Sequence, residues 1–358
     1  MDQGEVEAPE LFGPEQLVLC RDDAVGLRAV IAIDDTTLGP GLGGVRFRAY
    51  PSEAAGVIEC RRLAAAMTLK NAFAELPFGG GKSVILKRGP IRDRAALMRR
   101  FGDFVARTGG AYLPGVDMGT TVEDLAHMGE SGAVVSCSEE DPSPWTALGV
   151  AAAVRAAVEH VDGRSGIDGV RVLIQGAGHV GGTLARDLAA DGAQIILADV
   201  AAERADALAR ELGGATVPAG AVLQTPCDVF APCAVARVAT PATAGRLACR
   251  IIAGAANDTL SNRSVAGLLQ ARGIVYVPDF VANAGGVIHI HALRAGWDEP
   301  RLRGAVTAIG DRVGEVLSRA RASDQMPLEV AEQRARQILV KARGRSGVAV
   351  DVRPRVAA

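Results

Sequence analysis

Several features that define other classes of protein are scarce or missing in this sequence of 358 residues. No apolar run reaches about 18 residues without a charge, which excludes an ordinary membrane-spanning helix. Lys and Arg (39) nearly balance Asp and Glu (41) and form no long blocks, so we expect no basic surface for nucleic acid. The first nine residues lack the basic and apolar regions of a signal peptide, and we therefore expect a cytoplasmic protein.

Aromatic residues make up only 4% of the chain, yet the hydrophobic fraction is 49%, so the apolar content is mainly Ala, Val, Leu and Ile. This content excludes a disordered chain, and the length favours two domains. The six cysteines form no CxxC pair, and His289 and His291 have no cysteine or acidic pattern nearby. We therefore expect reduced thiols and no metal site.

Glycine, by contrast, is abundant: it supplies 43 residues, where about 7% of a chain is usual. Some of these glycines belong to a βαβ pattern. A continuous apolar strand is predicted at residues 170–174, and the fingerprint Gly176-Ala177-Gly178-His179-Val180-Gly181 then opens a helix. A second predicted strand, residues 194–198, ends at Asp199, about 20 residues after the glycines, which is the spacing of a dinucleotide site.

Each part of this fingerprint has a physical role in binding NAD. Gly176 permits the tight turn, Gly178 lets a pyrophosphate approach the backbone, and Gly181 lets helix and strand pack closely. Asp199 can accept hydrogen bonds from the adenosine ribose and disfavours a 2′-phosphate, which favours NAD over NADP. We expect His179 to cap the helix, to face solvent or to tune the phosphate contacts with pH. The alternative is that these glycines only form a tight turn.

The rest of the pattern predicts an α/β fold with a domain boundary in the polar, proline-containing segment 137–144. Helices are predicted to begin near Ser52, Asp93, Thr121 and Trp145. Strands are predicted at residues 27–33, 83–86, 228–231, 251–253 and 274–277. The glycine runs within residues 39–44 and 79–81 are predicted to separate elements, and residues 301–341 to form helices broken near Pro327.

Three charged residues lie in settings that favour chemistry. Lys82 follows three glycines, which leave room for a substrate, and a partly desolvated lysine can act as a base. Lys70 lies on a predicted helix beside apolar residues, where it could pair with a substrate carboxylate. Asp117 lies between Val116 and Met118, an apolar setting that would raise its carboxyl pKa. Each of the three could instead be a surface charge, the usual place for Lys and Asp.

A set of short words, which occur in order along the chain, carries a family resemblance. The words are Gly43-Gly44-Val45-Arg46, Met67-Thr68-Leu69-Lys70-Asn71-Ala72, Leu76-Pro77-Phe78-Gly79-Gly80-Gly81-Lys82, Asp117-Met118-Gly119-Thr120, Ala253-Gly254-Ala255-Ala256-Asn257 and Asn283-Ala284-Gly285-Gly286. Together they resemble the glutamate, leucine, phenylalanine and valine dehydrogenase family over about residues 27–297. Residues 227–234 are most similar to its leucine and phenylalanine branch.

The resemblance implies NAD-dependent oxidative deamination of an L-amino acid to a 2-oxo acid and ammonia. In this reading Lys70 binds the substrate carboxylate, Lys82 activates water and Asp117 exchanges protons with the amino group. Gly43 and Gly44 then lie at the substrate. These roles agree with what the chemistry needs, which is an anchor, a water nucleophile and a proton shuttle.

The resemblance further implies cofactor contacts from Thr146, Ala255, Asn257 and Asn283, with Asn257 also near the substrate. Thr146 and Asn257 could instead be cap or turn residues. The implied architecture is a mixed-sheet catalytic domain (residues 1–140) and a Rossmann NAD-binding domain (residues 141–324) with a cleft between them. Helices in about residues 325–358 would return to the first domain, and the protein would be a homo-oligomer.

Three positions bear on the choice of substrate. Glutamate-specific relatives carry a lysine where this chain has Leu42 and a serine where it has Val287. An apolar wall cannot stabilise a desolvated carboxylate, so an apolar amino acid is favoured. Leu42 and Val287 are similar to leucine and valine enzymes, whereas Gly115 is more similar to phenylalanine enzymes and would leave room for a ring.

The choice among Leu, Val, Ile, Phe and Trp stays open, because one methylene changes selectivity by only about 1–3 kcal/mol. Val116 and Asp258 depart from the family pattern. A protein that senses NAD without catalysis is the alternative from another functional class.

Overall fold

The computed structural model describes residues 13–136, 140–163, 165–234 and 236–345. The first nine residues and part of the predicted boundary segment 137–144 lie outside the described residues. The strands are β1 (Gln16–Asp22), β2 (Leu27–Asp35), β3 (Gly41–Arg48), β4 (Gly79–Leu86), β5 (Tyr112–Val116), β6 (Arg171–Gln175), β7 (Gln194–Ala198), β8 (Ala215–Thr216), β9 (Val229–Pro232), β10 (Ile251–Ile252) and β11 (Val275–Tyr276). The helices are α1 (Glu53–Phe73), α2 (Arg94–Ala106), α3 (Val122–Glu130), α4 (Ser143–Asp162), α5 (His179–Ala190), α6 (Ala202–Leu212), α7 (Pro241–Ala244), α8 (Ser264–Ala271), α9 (Asp279–Ala282), α10 (Gly285–Ala295), α11 (Glu299–Thr307), α12 (Ile309–Ser323) and α13 (Pro327–Arg345).

The first sheet is mixed, with the strand order β1-β2-β4-β3-β5. β2 is antiparallel to both β1 and β4, whereas β3 is parallel to both β4 and β5. Because β3 lies between β4 and β5, side chains on one face of these three strands meet, although they are far apart in the sequence.

Glycine-rich segments form the middle of this sheet, which corrects the prediction that they separate elements. Gly79, Gly80 and Gly81 begin β4, and the pair Gly43-Gly44 lies inside β3. A Cβ atom on Gly80 would stand 2.0 Å from Thr68 Oγ1, and one on Gly43 would stand 1.8 Å from the carbonyl oxygen of Gly81. The helix α1 therefore packs on bare backbone, and the close approach overrides the low strand propensity of glycine.

The second sheet is parallel throughout, with the strand order β11-β10-β9-β6-β7-β8. From the centre of the sheet, β6, β7 and β8 follow one another towards one edge, and β9, β10 and β11 follow one another towards the other. This is the order of a doubly wound Rossmann sheet. Val172, Leu173 and Ile174 in β6 are fully buried, as expected for a strand covered by helices on both faces. Ligands of such sheets bind at the carboxyl ends of the strands, where the order reverses.

The helix starts predicted near Ser52, Asp93 and Thr121 are present and are fixed by side-chain caps, whereas α4 begins at Ser143, two residues before Trp145, without one. Ser52 accepts a hydrogen bond from the amide of Ala55, and Asp93 accepts one from the amide of Ala96. Thr121 and Asp124 form a reciprocal capping box at α3. These caps satisfy amides at the helix N-termini that would otherwise lack a partner.

The last helix connects the two halves of the molecule. α13 packs against α1, beside the first sheet, and against α12. Arg343 near the end of α13 pairs with Asp35 at the end of β2 and donates a 3.0 Å hydrogen bond to Thr37 Oγ1. None of the helices in the described part of the chain is long and apolar enough to cross a membrane.

Candidate active site

A cluster of charged side chains forms on one face of β3, β4 and β5. Lys82 projects from β4, Arg46 from β3, and Asp117 directly follows β5. Lys82 Nζ lies 2.7 Å from Asp117 Oδ2, and Arg46 Nε donates a hydrogen bond of 2.9 Å to the same oxygen. The lysine and the aspartate predicted to be catalytic are thus in direct contact, together with an arginine to which the sequence analysis assigned no role.

The environment of Asp117 differs from the apolar setting expected from its neighbours. Val116 and Met118 are 46% and 54% exposed, so they do not enclose the carboxylate. Burial by itself raises the pKa of Asp117, but the charges and hydrogen bonds of Lys82 and Arg46 outweigh it and hold that pKa well below its ordinary value. The prediction of a raised pKa is therefore wrong: the carboxyl group is ionised in this state.

Gly44 makes this contact possible. A Cβ atom at Gly44 would stand 2.6 Å from Asp117 Cβ and 3.3 Å from Lys82 Nζ. The neighbouring Gly43 offers its carbonyl oxygen to the buried Tyr112 hydroxyl at 2.8 Å, which ties β3 to β5. The glycine pair thus leaves space at the cluster and a fixed backbone below it.

Lys70 approaches the same region from α1 and is only 7% exposed. Its Nζ atom donates a hydrogen bond of 2.8 Å to Asn257 Oδ1, and Asn283 Nδ2 donates one of 3.0 Å to the same oxygen. Asn283 also donates to the carbonyl oxygen of Ala255 at 3.1 Å. Burial lowers the pKa of Lys70 to about 8, with the charge of Asp279 opposing the shift.

A cavity of about 280 Å³ lies between the two sheets beside these lysines. Lys70 and Lys82 both line it, together with Asn257 and Asp279 from the second half of the chain. The structure therefore brings four charged or polar groups from both halves to one space, which has the size of a small ligand.

The residues predicted to select the substrate side chain lie apart from that cavity. Leu42 is buried and pairs in register with Leu113 on β5. Gly115 faces Ser136, whose Oγ would stand 2.8 Å from a Cβ atom there. Val287 lies in α10, packed against the core cluster that contains Leu42. None of Leu42, Gly115 and Val287 lines the cavity beside the lysines.

Thr146 lies in the first turn of α4, against the glycine pair that opens α10. Its Oγ1 atom donates to the carbonyl oxygen of Pro142 at 3.2 Å and would stand 2.8 Å from a Cβ atom on Gly286. The hydroxyl is thus held at the junction of two helices that both flank the second sheet.

The glycine fingerprint lies between β6 and α5, at the carboxyl end of the sheet. Gly176 has φ +102°, which favours glycine, and a Cβ atom on Gly181 would stand 1.9 Å from the carbonyl oxygen of Gly176. A Cβ atom on Gly178 would meet nothing within 4 Å. The space at Gly178 and the free amides at the start of α5 fit a phosphate group.

Asp199 follows β7 and stands beside this turn. Its two carboxylate oxygens accept hydrogen bonds of 2.8 Å from the amides of Ala177 and Ala201. Burial raises the pKa of Asp199, but these backbone hydrogen bonds outweigh it and lower that pKa overall. An ionised acid fixed beside the glycine turn fits the ribose of a dinucleotide.

A second cavity, of about 670 Å³, opens over the turn and is lined by Gly178, His179, Arg186 and Arg204 among others. His179 is the first residue of α5, follows the N-cap Gly178 and provides no side-chain cap. Its side chain is 85% exposed, and its Nδ1 atom lies 3.2 Å from Asp141 Oδ2. Of the alternatives expected for His179, the structure therefore shows exposure to solvent. The next residue, Val180, is partly buried and packs against the core.

Asp258, a departure from the family pattern, joins the two halves at the mouth of the site. It adopts φ 61° and pairs with Arg62 of α1. Arg237 donates to it twice, from Nε to Oδ2 at 3.0 Å and from the backbone amide to the carbonyl oxygen at 2.7 Å. Sequence reasoning missed these partners, because no local signal connects positions so far apart.

The fold and the site together are those of a two-sheet dehydrogenase, with a lysine–aspartate cluster in the mixed sheet and a glycine turn at the carboxyl end of the parallel one. The comparisons with known proteins agree. Residues 14–132 match the family model for the Glu/Leu/Phe/Val dehydrogenase dimerisation domain, and residues 197–292 match that for the Glutamate/Leucine/Phenylalanine/Valine dehydrogenase. The chain belongs to this family and is an amino acid dehydrogenase.

Its relatives include enzymes for several apolar amino acids. The leucine dehydrogenase of Thermoactinomyces intermedius is 38% identical over 332 residues, which cover 91% of this chain and 90% of that protein. The valine dehydrogenase of Streptomyces virginiae is 36% identical over 340 residues, which cover 92% of this chain and 95% of that protein.

Solved structures give the same picture. The crystal structure of L-tryptophan dehydrogenase from Nostoc punctiforme superposes with a TM-score of 0.78 at 33% identity and covers 93% of this chain and 97% of that one. The hetero-hexameric glutamate dehydrogenase from Thermus thermophilus has a TM-score of 0.75 at 21% identity, covering 94% of this chain and 90% of that one, a similarity of fold alone.

Proposed function

We propose that this protein catalyses the NAD-dependent oxidative deamination of an apolar L-amino acid to its 2-oxo acid and ammonia. The observation that carries the proposal is the contact of Lys82 with Asp117 beside the buried Lys70. These are an acid–base pair and a cationic anchor in one water-poor space, which is what an amino acid substrate needs.

Each side chain has a part in this scheme. Lys70 holds the substrate carboxylate, because a buried ammonium with only a neutral amide partner can take an anionic one. Asp117 accepts a proton from the substrate ammonium, so that the carbon can give up hydride. A nicotinamide cofactor, when bound, would supply the acceptor for that hydride. Lys82, in its neutral form, then takes a proton from the water that attacks the imine carbon. Asp117 returns its proton to the nitrogen, and it accepts the proton of the new hydroxyl group as the C–N bond breaks to leave the 2-oxo acid and ammonia.

The turn at Gly178 and the carboxylate of Asp199 support NAD as the nicotinamide cofactor. Free helix amides would hold the pyrophosphate, and Asp199 would accept the ribose hydroxyls while repelling a 2′-phosphate. Thr146, Ala255, Asn257 and Asn283 would surround the nicotinamide end. We further propose that the halves on either side of residue 140 are the catalytic and NAD-binding domains.

Leu42 and Val287 are the positions at which the sequence predicts recognition of the substrate side chain, and they provide no cation for a side-chain carboxylate. We therefore propose an apolar amino acid rather than glutamate, with its side chain bound outside the cavity beside the lysines. Leucine, valine and tryptophan dehydrogenases occur among the relatives, so the choice lies among branched and aromatic side chains. A homo-oligomer is also proposed, because the family model over residues 14–132 is named a dimerisation domain.

The deciding experiment is a panel assay of reduced cofactor formation with L-Leu, L-Val, L-Ile, L-Phe, L-Trp and L-Glu, each with NAD and with NADP. We expect the largest kcat/KM with an apolar amino acid and NAD, and the smallest with L-Glu. NAD binding without turnover of any amino acid would contradict the proposal and favour a NAD-sensing protein. Preference for L-Glu would contradict the substrate class alone.

A further inference from the structure

Arg46 belongs to the charged cluster and directly contacts Asp117, the proposed proton acceptor. The sequence analysis assigned it no role. Its Nε atom donates to Asp117 Oδ2 at 2.9 Å, and a second guanidinium nitrogen lies 3.5 Å from Asp117 Oδ1. The Lys82 ammonium binds the same Oδ2 atom at 2.7 Å. Asp117 therefore has two cationic partners, although one would neutralise it.

The two cations differ in what they can do. In the proposed reaction Lys82 must be neutral when it accepts a proton from water, so it does not provide a constant positive charge beside Asp117. A guanidinium stays protonated throughout. Burial by itself raises the pKa of Asp117, so without Arg46 the carboxyl group would keep the proton that it takes from the substrate.

We propose that Arg46 is a positioning residue that orients Asp117 and favours its ionised form, so that the carboxyl group gives back to the amino group the proton that it has taken up. This inference rests on the proposed function and deepens it. Arg46 acts through Asp117 and is not itself proposed to touch the substrate.

The orientation of Arg46 is fixed from its other side. Arg46 donates from its remaining nitrogen to Glu59 Oε1 of α1 at 2.6 Å, and the Tyr50 hydroxyl donates to the same oxygen at 3.1 Å. The Arg46 side chain is only 12% exposed. The planar guanidinium thus bridges Glu59 and Asp117, which a lysine ammonium in its place could not do in the same geometry.

A purely structural role is the competing explanation, since the bridge also joins α1 to β3. The charged groups around Asp117 distinguish the two. Lys82 on β4 and Arg46 on β3 contact the Asp117 carboxylate. The next charged groups are Glu59 and Lys70 on α1 and Asp279 on α9. Removing the positive charge of Arg46 makes the groups of this cluster hold their protons more tightly, whereas removing Glu59 does not.

The test is the pH dependence of kcat/KM for the preferred amino acid, measured for the wild type and for Arg46→Gln, Arg46→Lys and Glu59→Gln, with thermal melts of each. For Arg46→Gln we expect the pH below which kcat/KM falls to rise by about one unit or more. Arg46→Lys should show a smaller shift in the same direction. Glu59→Gln is the matched control: it weakens the same bridge to α1 by removing its negative charge and should give no rise.

An unmoved profile in Arg46→Gln, or an equal rise in Glu59→Gln, would overturn the inference and make the bridge a structural one. If Arg46→Gln proves too unstable to assay, Arg46→Met, which also removes the charge, is measured instead, and an unmoved profile there has the same meaning. A wild type that turns over no amino acid would refute the proposed function itself, so the two failures are distinguishable.

Discussion

The side chains of Lys70 and Asn257 meet across the cleft, Nζ to Oδ1 at 2.8 Å, and so connect α1 beside the first sheet to the loop that follows β10 in the second. In the described part of the chain Lys70 makes no ion pair with a carboxylate, although it is buried. A buried cation with a neutral partner has a free energy cost that a bound anion would remove. The free energy of unfolding of the ligand-free protein should therefore depend on the charge of Lys70.

The first prediction is that Lys70→Met abolishes binding of the amino acid without destabilising the protein at pH 7. Burial lowers the pKa of Lys70 from its ordinary value of 10.5 to about 8 in the folded protein. The unfolded chain therefore binds more protons between these two values, and the cost of burying the charge is complete below about pH 8 and disappears as the pH rises to about 10.5. The shift corresponds to about 3 kcal/mol at most.

Thermal melts at pH 7 and pH 10 check this prediction. Relative to the wild type, Lys70→Met should melt at the same or a higher temperature at pH 7, and this advantage should shrink at pH 10. Lys87→Met, which replaces an exposed lysine, is the matched control and should show no such pH dependence. A lower melting temperature for Lys70→Met at pH 7 would count against a strained cation.

The second prediction concerns Lys82. Lys82→Ala should lower kcat by about 10²-fold or more, because the attacking water loses its base. NAD affinity, followed by fluorescence titration, should stay within about twofold, since Lys82 lies in the first sheet and the glycine turn in the second. Wild-type activity in Lys82→Ala would remove the residue from the proposed role.

The third prediction concerns the choice between NAD and NADP. Asp199→Asn keeps an acceptor for one of the two amides, those of Ala177 and Ala201, and removes the charge that repels a 2′-phosphate. It also frees Arg204, whose nitrogen lies 3.7 Å from the carboxylate. We expect the ratio of kcat/KM for NADP to that for NAD to rise about tenfold or more, which corresponds to about 1.4 kcal/mol.

A second variant isolates the part of Arg204. Adding Arg204→Gln to Asp199→Asn should reverse much of the gain with NADP, because no cation then meets the extra phosphate at that side. Comparable efficiency of the wild type with the two cofactors would refute the argument from Asp199 altogether.

The sequence predicts the second sheet much better than the first. Around Gly176 the strand, the turn, the helix and Asp199 follow one another within about 30 residues, so that spacing alone indicates their arrangement. The glycine strands β3 and β4 carry no such local signal. In β4, Asp35 and Thr68 leave no room for a Cβ atom at Gly79 and Gly80, and such requirements for glycine become visible only in the fold.

The same limit applies to the charge of Asp117. Its neighbours in sequence, Val116 and Met118, suggested an apolar setting, but they are exposed. The residue that governs the carboxylate together with Lys82 is Arg46, 71 positions earlier and one strand away. Residue types and motif words therefore identified the lysines and the aspartate, whereas the pairing that sets their charge depends on strand order.

The fourth prediction separates two glycines of one fingerprint. Gly178 has φ −76° and ψ −163°, which other residues can adopt, and a Cβ atom there meets nothing within 4 Å. Gly178→Ala should therefore change the unfolding free energy by no more than about 0.5 kcal/mol. It should nevertheless weaken NAD binding about tenfold or more, because the methyl group would occupy the space proposed for the pyrophosphate.

Gly181→Ala is the matched contrast, since its Cβ atom would stand 1.9 Å from the carbonyl oxygen of Gly176 and 3.3 Å from Cys233 Cβ. Helix α5 would have to move away from β6, so we expect a loss of about 1–3 kcal/mol or more in unfolding free energy. Denaturant melts and NAD titrations of both variants check the pair. Normal NAD affinity in a well-folded Gly178→Ala would show that the space over the turn is not where the phosphates bind, and the cofactor site would have to be sought elsewhere along the carboxyl edge of the sheet.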